Sequence, residues 1–195
     1  MTCQDRVLEI SKKFKASHIG SCLSVLPILE EIYSKKKPQD VVFLDAAHSH
    51  LSHLVVKEKY EDMQDIENVY EEHGIHCDRK AGCDFSGGSL SHPGIALGYA
   101  IAHLEKMVYI VITDGSCVEG STAEFLRILH DLKLSNIEIH ANFNGFTATT
   151  KIDVKYWRRW LSGFEVPIKF HYTENGLPEL DGVRGHYLTM EQIKQ

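Results

Sequence analysis

The chain has 195 residues, 43% hydrophobic and 25% charged, with 14 Gly and 5 Pro, a composition near the average soluble globular protein and far from disordered or collagen-like classes. At roughly 100–200 residues per domain, one domain over residues 1–195 is expected, with a sizeable core, and a multi-domain enzyme is not. A balance of 21 basic against 27 acidic residues gives a net charge of −6, which argues against nucleic acid or an anionic membrane as the main partner, since both require a basic face.

In chain order, the apolar residues Val7, Leu8, Ile10 and Phe14 fall near helical spacing between Asp5 and Lys15. A second periodic run, Leu23 to Tyr33, follows a break at Gly20-Ser21, so two helices are expected to flank a histidine-containing turn. Val41-Val42-Phe43-Leu44 is a short β-prone run, Ala46 to Tyr60 reads as a helix, and Met63 to Glu72 as a further, acidic and solvated one. From Cys77 to Gly94 the chain is rich in Gly and Ser and reads as irregular. Ile95–Leu104 is expected to be helical, Met107–Thr113 a strand, Ser121–Leu132 a helix with Phe125, Leu126, Leu129 and Leu132 on one face, and Ile137–Phe143 a strand. Val154–Trp160 and Val166–Tyr172 suggest a last helix and strand, and the Gly-containing stretch after Thr173 reads as loops. Apolar strands alternating with helices predict an α/β domain, a central parallel sheet with helices on both faces.

The stretch from Phe85 to Leu104 has no Asp, Glu, Lys or Arg, but Gly87, Gly88, Ser91, His92 and Pro93 interrupt it, so no membrane span is expected. Met1 to Ile10 carries Asp5, Arg6 and Glu9 and does not resemble a signal peptide. The five cysteines are odd in number and irregularly spaced, which fits reduced thiols, and a cytoplasmic location is expected.

In open parallel sheets, ligands bind at the carboxyl ends of the strands. Two strand ends carry chemistry: Met107–Thr113 runs into Asp114-Gly115-Ser116, and the next strand runs into Asn144-Gly145. A carboxylate, an amide oxygen and a backbone carbonyl are hard oxygen ligands, and Mg²⁺ held by one or two of them completes its octahedron with phosphate oxygens and water. Gly115 would let backbone approach a phosphate, and a helix beginning near Glu119 offers unpaired N–H groups to it. Taken singly, Asp-Gly and Asn-Gly are also common turn dipeptides. A second grouping, His73-x-x-His76-Cys77 with Cys83, has zinc-ligand residue types at an unusual spacing.

The stretch from Thr113-Asp-Gly-Ser through Glu119 and Glu124 to Asn144-Gly-Phe-Thr147 resembles the thiamine-diphosphate motif of transketolases, which begins Gly-Asp-Gly and ends in Asn. Four further blocks stand in that family's order: Ser17-His-Ile-Gly-Ser21 resembles Gly-His-Pro-Gly-Ser, Asp45-Ala-Ala-His48 resembles Ser-x-Gly-His, Ile75-His76 the second Gly-His, and Ala81 to Leu90 the approach to Gly-x-Leu-Gly-Gln-Gly. The chain is thereby identified as similar to the transketolase family's diphosphate-binding domain over residues 6 to about 150.

The resemblance implies thiamine diphosphate and Mg²⁺ as cofactors, with Asp114, Asn144 and the Phe146 carbonyl on the metal and Gly115 against the phosphates. Gly88, Ser89 and Leu90 match the segment along the aminopyrimidine side, and His18, His48 and His76 match histidines that contact diphosphate or substrate hydroxyls. Imidazoles suit that place, because they titrate near neutrality and both donate and accept. Glu119 and Glu124 match carboxylates near a subunit interface, and His92 stands near the family's Gln. Thr113, Ile19, Ala47 and Ser91 depart from the pattern, and Thr113 is expected to crowd the diphosphate because it is β-branched.

In this family the glutamate that activates the aminopyrimidine lies on a second domain, so the resemblance implies a subunit of a split enzyme, inactive alone. It would form a hetero-oligomer with a separately encoded pyrimidine-domain subunit and transfer a two-carbon ketol unit between sugar substrates. A split thiamine-diphosphate decarboxylase subunit, or a non-catalytic module that kept the fold, are the alternatives.

Overall fold

The computed structural model describes residues 1–147, 150–173 and 187–193. Four parallel strands, β1 (Val41–Leu44), β2 (Val108–Thr113), β3 (Ile137–Phe143) and β4 (Ile168–Tyr172), lie in the order β1-β2-β3-β4. The helices are α1 (Cys3–Phe14), α2 (Ile19–Lys35), α3 (His50–Glu61), α4 (Ile66–His73), α5 (Gly94–Ala102), α6 (Asp114–Cys117), α7 (Gly120–Leu132), α8 (Val154–Ser162) and α9 (Met190–Ile193).

Alternation along the strands sends side chains into two separate cores, one on each face of the sheet. Val42, Leu44, Tyr109 and Val111 pack with α1, α2 and α3, whereas Phe43, Ile110, Ile112, Ile139 and Phe143 pack with α5 and α7. This is the expected α/β sheet covered on both faces. Thr2 starts α1 by accepting the Asp5 N–H at 3.1 Å, while the Asp5 carboxylate accepts the Thr2 N–H at 3.0 Å. Arg6 then ties α1 to α3 and α4, donating to Glu58 at 3.1 Å and Glu67 at 2.7 Å.

The sequence-expected strands β1 and β3 have the observed limits, and the other elements shift by a few residues. Two differences bear on the site. The expected helix from Ala46 begins as a short 3₁₀ turn, Ala47–Ser49, that carries His48. Asp114-Gly115-Ser116 is a helical turn, α6, where an open turn was expected, and α7 begins separately at Gly120. Most of the stretch after Thr173, read as loops, lies outside the described residues. Among the described residues no helix is long and apolar enough to cross a membrane.

Residues 74–93, with no helix or strand, run beside β1, the edge strand, and cover it: Asp84 accepts the Val42 N–H at 2.7 Å. This segment presents Ser89 and Leu90 to the strand ends.

Candidate cofactor site

The register pairs Thr113 with Asn142, so Asp114 leaves β2 beside the end of β3. Asp114 is 1% exposed, and its Oδ2 accepts three successive backbone N–H groups, from Asn144 at 2.7 Å, Gly145 at 2.8 Å and Phe146 at 3.3 Å. Three consecutive amides turn toward one oxygen because Gly145 takes φ +90°, a conformation open to glycine. Asp114 Oδ1 is buried with no hydrogen-bond partner. Burial pushes the Asp114 carboxyl up to about 6, against the pull of the three amides. Asn144 is exposed, and its side-chain oxygen accepts the Phe146 N–H at 3.0 Å in an Asx-type turn. A buried carboxylate oxygen without a partner, beside an amide oxygen, is a donor set that fits a divalent cation of the Mg²⁺ class.

The histidines gather on the other side. His18 occupies the left-handed region, φ 61°, at the start of α2, and its Nδ1 lies 2.8 Å from Ser17 Oγ. Its ring stands 4.8 Å from the His48 ring. His48 donates its Nδ1–H to the Ser89 carbonyl at 2.6 Å, and His76 Nε2 lies 3.3 Å from Ser89 Oγ. Ser89 therefore joins the histidines that the sequence places 28 residues apart. Leu90 lies against Gly115, where a Cβ would sit 3.5 Å from both of its methyl groups, and this links the histidines to the Asp114 loop. Gly88 precedes Ser89 and is exposed, and a Cβ there would sit 3.8 Å from the Leu90 carbonyl oxygen. The histidines, the 88–90 segment and the Asp114 and Asn144 turns thus share one end of the sheet.

No family model matches the chain. Over 143 residues, 71% of the chain, it is 28% identical to a 1-deoxy-D-xylulose-5-phosphate synthase of Fusobacterium nucleatum, and the matched segment is 23% of that protein. Among solved structures, the transketolase from Leishmania mexicana superposes with a TM-score of 0.63 at 17% identity, over 88% of this chain and 35% of that one. The fold is that of a transketolase N-terminal domain. The chain spans about a third or less of the length of either relative.

The residues that depart from the motif are held by local contacts. Thr113 has φ −124° and ψ 176°, extended backbone that any residue adopts, and its N–H donates to Ser116 Oγ at 2.9 Å. Its branched side chain turns to the Ser116 hydroxyl at 3.2 Å. Ile19 is fully buried in the core, and the Ala47 carbonyl accepts the Cys77 N–H at 2.9 Å. Ser91 is accommodated by its neighbour: a Cβ on Gly87 would lie 1.9 Å from Ser91 Oγ. His92, Glu119 and Glu124 are exposed outside the cluster, and His92 Nδ1 accepts the Gly94 N–H at 2.9 Å.

Asp45 is the site residue that sequence reasoning missed. It leaves β1 as Asp114 leaves β2, is 1% exposed, and its Oδ1 is likewise buried without a partner. Desolvation raises its carboxyl from 3.8 to about 7, opposed by hydrogen bonds from Ser116 and the Ser91 N–H, with Glu119 adding repulsion. Its place directly after an apolar strand was the available signal.

Proposed function

We propose that the chain is the diphosphate-binding subunit of a split thiamine-diphosphate-dependent transketolase-like enzyme. With a separately encoded pyrimidine-domain subunit it would transfer a two-carbon ketol unit between sugar or sugar-phosphate substrates. The observation that carries this reading is Asp114, whose Oδ2 is locked by three amides and whose Oδ1 is buried without a partner. A buried polar oxygen without a partner is rare in a folded protein, and coordination to a cation relieves it.

In this reading Asp114 Oδ1, the Asn144 side chain and the Phe146 carbonyl hold Mg²⁺, and Gly115 allows the diphosphate to approach. Gly88, Ser89 and Leu90 lie along the cofactor. When bound, thiamine diphosphate supplies carbanion stabilisation, which no side chain offers. The hydrogen bond to Ser89 keeps the His48 proton on Nδ1, so Nε2 is the accepting nitrogen. His18, His48 and His76 then orient sugar hydroxyls and carry the proton that ketol transfer moves. His76→Ala is expected to lower turnover of the complex by about 10²–10⁴-fold with cofactor affinity nearly intact, checked by steady-state kinetics beside a binding titration.

The need for a partner is supported by the chain's surface. Ile95 is 50% and Ile101 48% exposed, on a groove lined also by Glu124, Phe125 and Ile128 from α7. The test is to purify the tagged chain from its native cell with Mg²⁺ and thiamine diphosphate. A stoichiometric second chain carrying a pyrimidine-type domain, and ketol transfer by the pair, is the expected result. A chain that emerges alone, or a pair without turnover on any sugar donor, contradicts the reading.

A further inference from the structure

On the face of the sheet that packs α1 to α3, the histidines His50 and His53 stand one helical turn apart on α3, and Cys77 and Cys83 lie in the 74–93 segment. The ligating atoms of His53, Cys77 and Cys83 lie within 4.8 Å of one another, and all three residues are buried. His53 Nδ1 is 3.9 Å from Cys77 Sγ, while its Nε2 meets the Tyr33 hydroxyl at 2.6 Å. With the Nε2 proton donated to that hydroxyl, the Nδ1 lone pair faces the sulfurs.

His50 is 0% exposed. Its Nδ1–H donates to the Gly74 carbonyl at 2.9 Å, which fixes the proton there and leaves Nε2 as a bare lone pair. Nε2 is buried and has no hydrogen-bond partner. An imidazole held by a hydroxyl through one nitrogen, with the other facing a thiol, as in His53, is the arrangement of a metal-ligating histidine.

We propose that His53, Cys77 and Cys83, with His50 as fourth ligand, form a structural zinc site that fastens the 74–93 segment to α3. Two sulfurs and two imidazole nitrogens are the soft, tetrahedral donor set of zinc, and four protein ligands leave no open position for catalysis. Zn–S bonds of about 2.3 Å and Zn–N bonds of about 2.0–2.1 Å require the cluster to contract slightly around the ion. Coordination releases the two thiol protons to solvent, and the two thiolates neutralise the ion, so no net charge is buried. The His73 and His76 of the unusually spaced grouping in the sequence do not join this site: His73 pairs with Asp78 at 3.9 Å and His76 meets Ser89, while α3 supplies the nitrogens. The ion would anchor the segment that carries Ser89 and Leu90, and that caps the β1 edge through Asp84. It does so independently of the cofactor reading.

The test uses the full chain, purified anaerobically with reductant. The expected result is one zinc per chain by elemental analysis, and, after exchange, a Co²⁺ spectrum with thiolate charge-transfer bands and tetrahedral d–d bands. Cys83→Ser is expected to weaken zinc by more than about 100-fold in chelator competition, beyond the range of outer-shell changes, and Cys117→Ser to leave it unchanged. Should Cys83→Ser fail to fold, Tyr33→Phe is the second variant, expected to weaken zinc about 10–100-fold with the thiolate bands retained. A folded, reduced wild-type chain that takes up no stoichiometric zinc, Co²⁺ bound without thiolate bands, or a Cys77–Cys83 disulfide in the reduced preparation would each overturn the proposal.

Discussion

Asp114 Oδ2 takes three backbone N–H groups because Gly145 bends the chain at φ +90°, and nothing lies within 4 Å of where a Gly145 Cβ would stand. Gly145→Ala therefore meets backbone strain without a steric clash, and is expected to lower stability by about 1–3 kcal/mol in urea unfolding. Asp45 makes a prediction of the opposite sign. Its carboxyl rises from 3.8 to about 7, so the native chain holds a proton that the unfolded chain gives up. Stability from this group is full below pH 4 and is lost as pH rises through about 7. Asp45→Asn is expected to raise the melting temperature at pH 8 and to change it little at pH 4, each recovered kcal/mol being worth about 2–4 °C at this chain length. Equal shifts at both pH values in a thermal scan would show that Asp45 is not the strained carboxylate. Asp114 and Asn144 were legible in sequence because each follows an apolar strand and both match a motif. Asp45 matched only a block in which the family has Ser, and its burial comes from Ser91 and Ser116, residues that sequence spacing cannot bring together. Thr113 was legible as a departure, but not its extended backbone or its bond to Ser116.

At the scale of elements, strand ends were the readable part. Short apolar runs bounded by polar residues located β1 and β3 to the residue, and the rule that ligands gather at carboxyl ends of parallel strands located the site. The irregular 74–93 segment was readable only as irregular. Its order comes from long-range bonds, Val42 to Asp84, His48 to Ser89 and Cys77 to Ala47, that no local pattern announces. The pairing of α3 histidines with its cysteines escaped for the same reason: the ligands lie on separate elements, and a spacing search favours neighbours in sequence. Helix α5 carries a separate prediction, since Ile95 and Ile101 stand half-exposed on it. Replacing both with Asp is expected to abolish association with the pyrimidine-domain subunit, measured by analytical ultracentrifugation. The melting temperature of the chain alone should hardly change, because exposed substitutions are worth within about 0.5 kcal/mol each. Retained association would place the partner elsewhere.

For the molecule as a whole, one parallel sheet with a core on each face gathers the candidate site where β1, β2 and β3 end. Asp45, Asp114 and the Asn144 turn lie there with His18, His48 and His76, and the sulfur and imidazole cluster lies between α3 and the 74–93 segment, its Cys77 directly after His76. Under the proposed function this end of the sheet would supply oxygen ligands and imidazoles, and a second chain the remainder. That whole-molecule conclusion depends on one site holding one ligand. The most direct measurement is the affinity of the purified two-chain complex for thiamine diphosphate by calorimetry, with and without Mg²⁺, for wild type and Asp114→Ala. The account predicts tight binding that requires Mg²⁺ and is lost in Asp114→Ala while the variant still assembles with its partner. Binding that ignores both Mg²⁺ and the loss of the Asp114 carboxylate would contradict it.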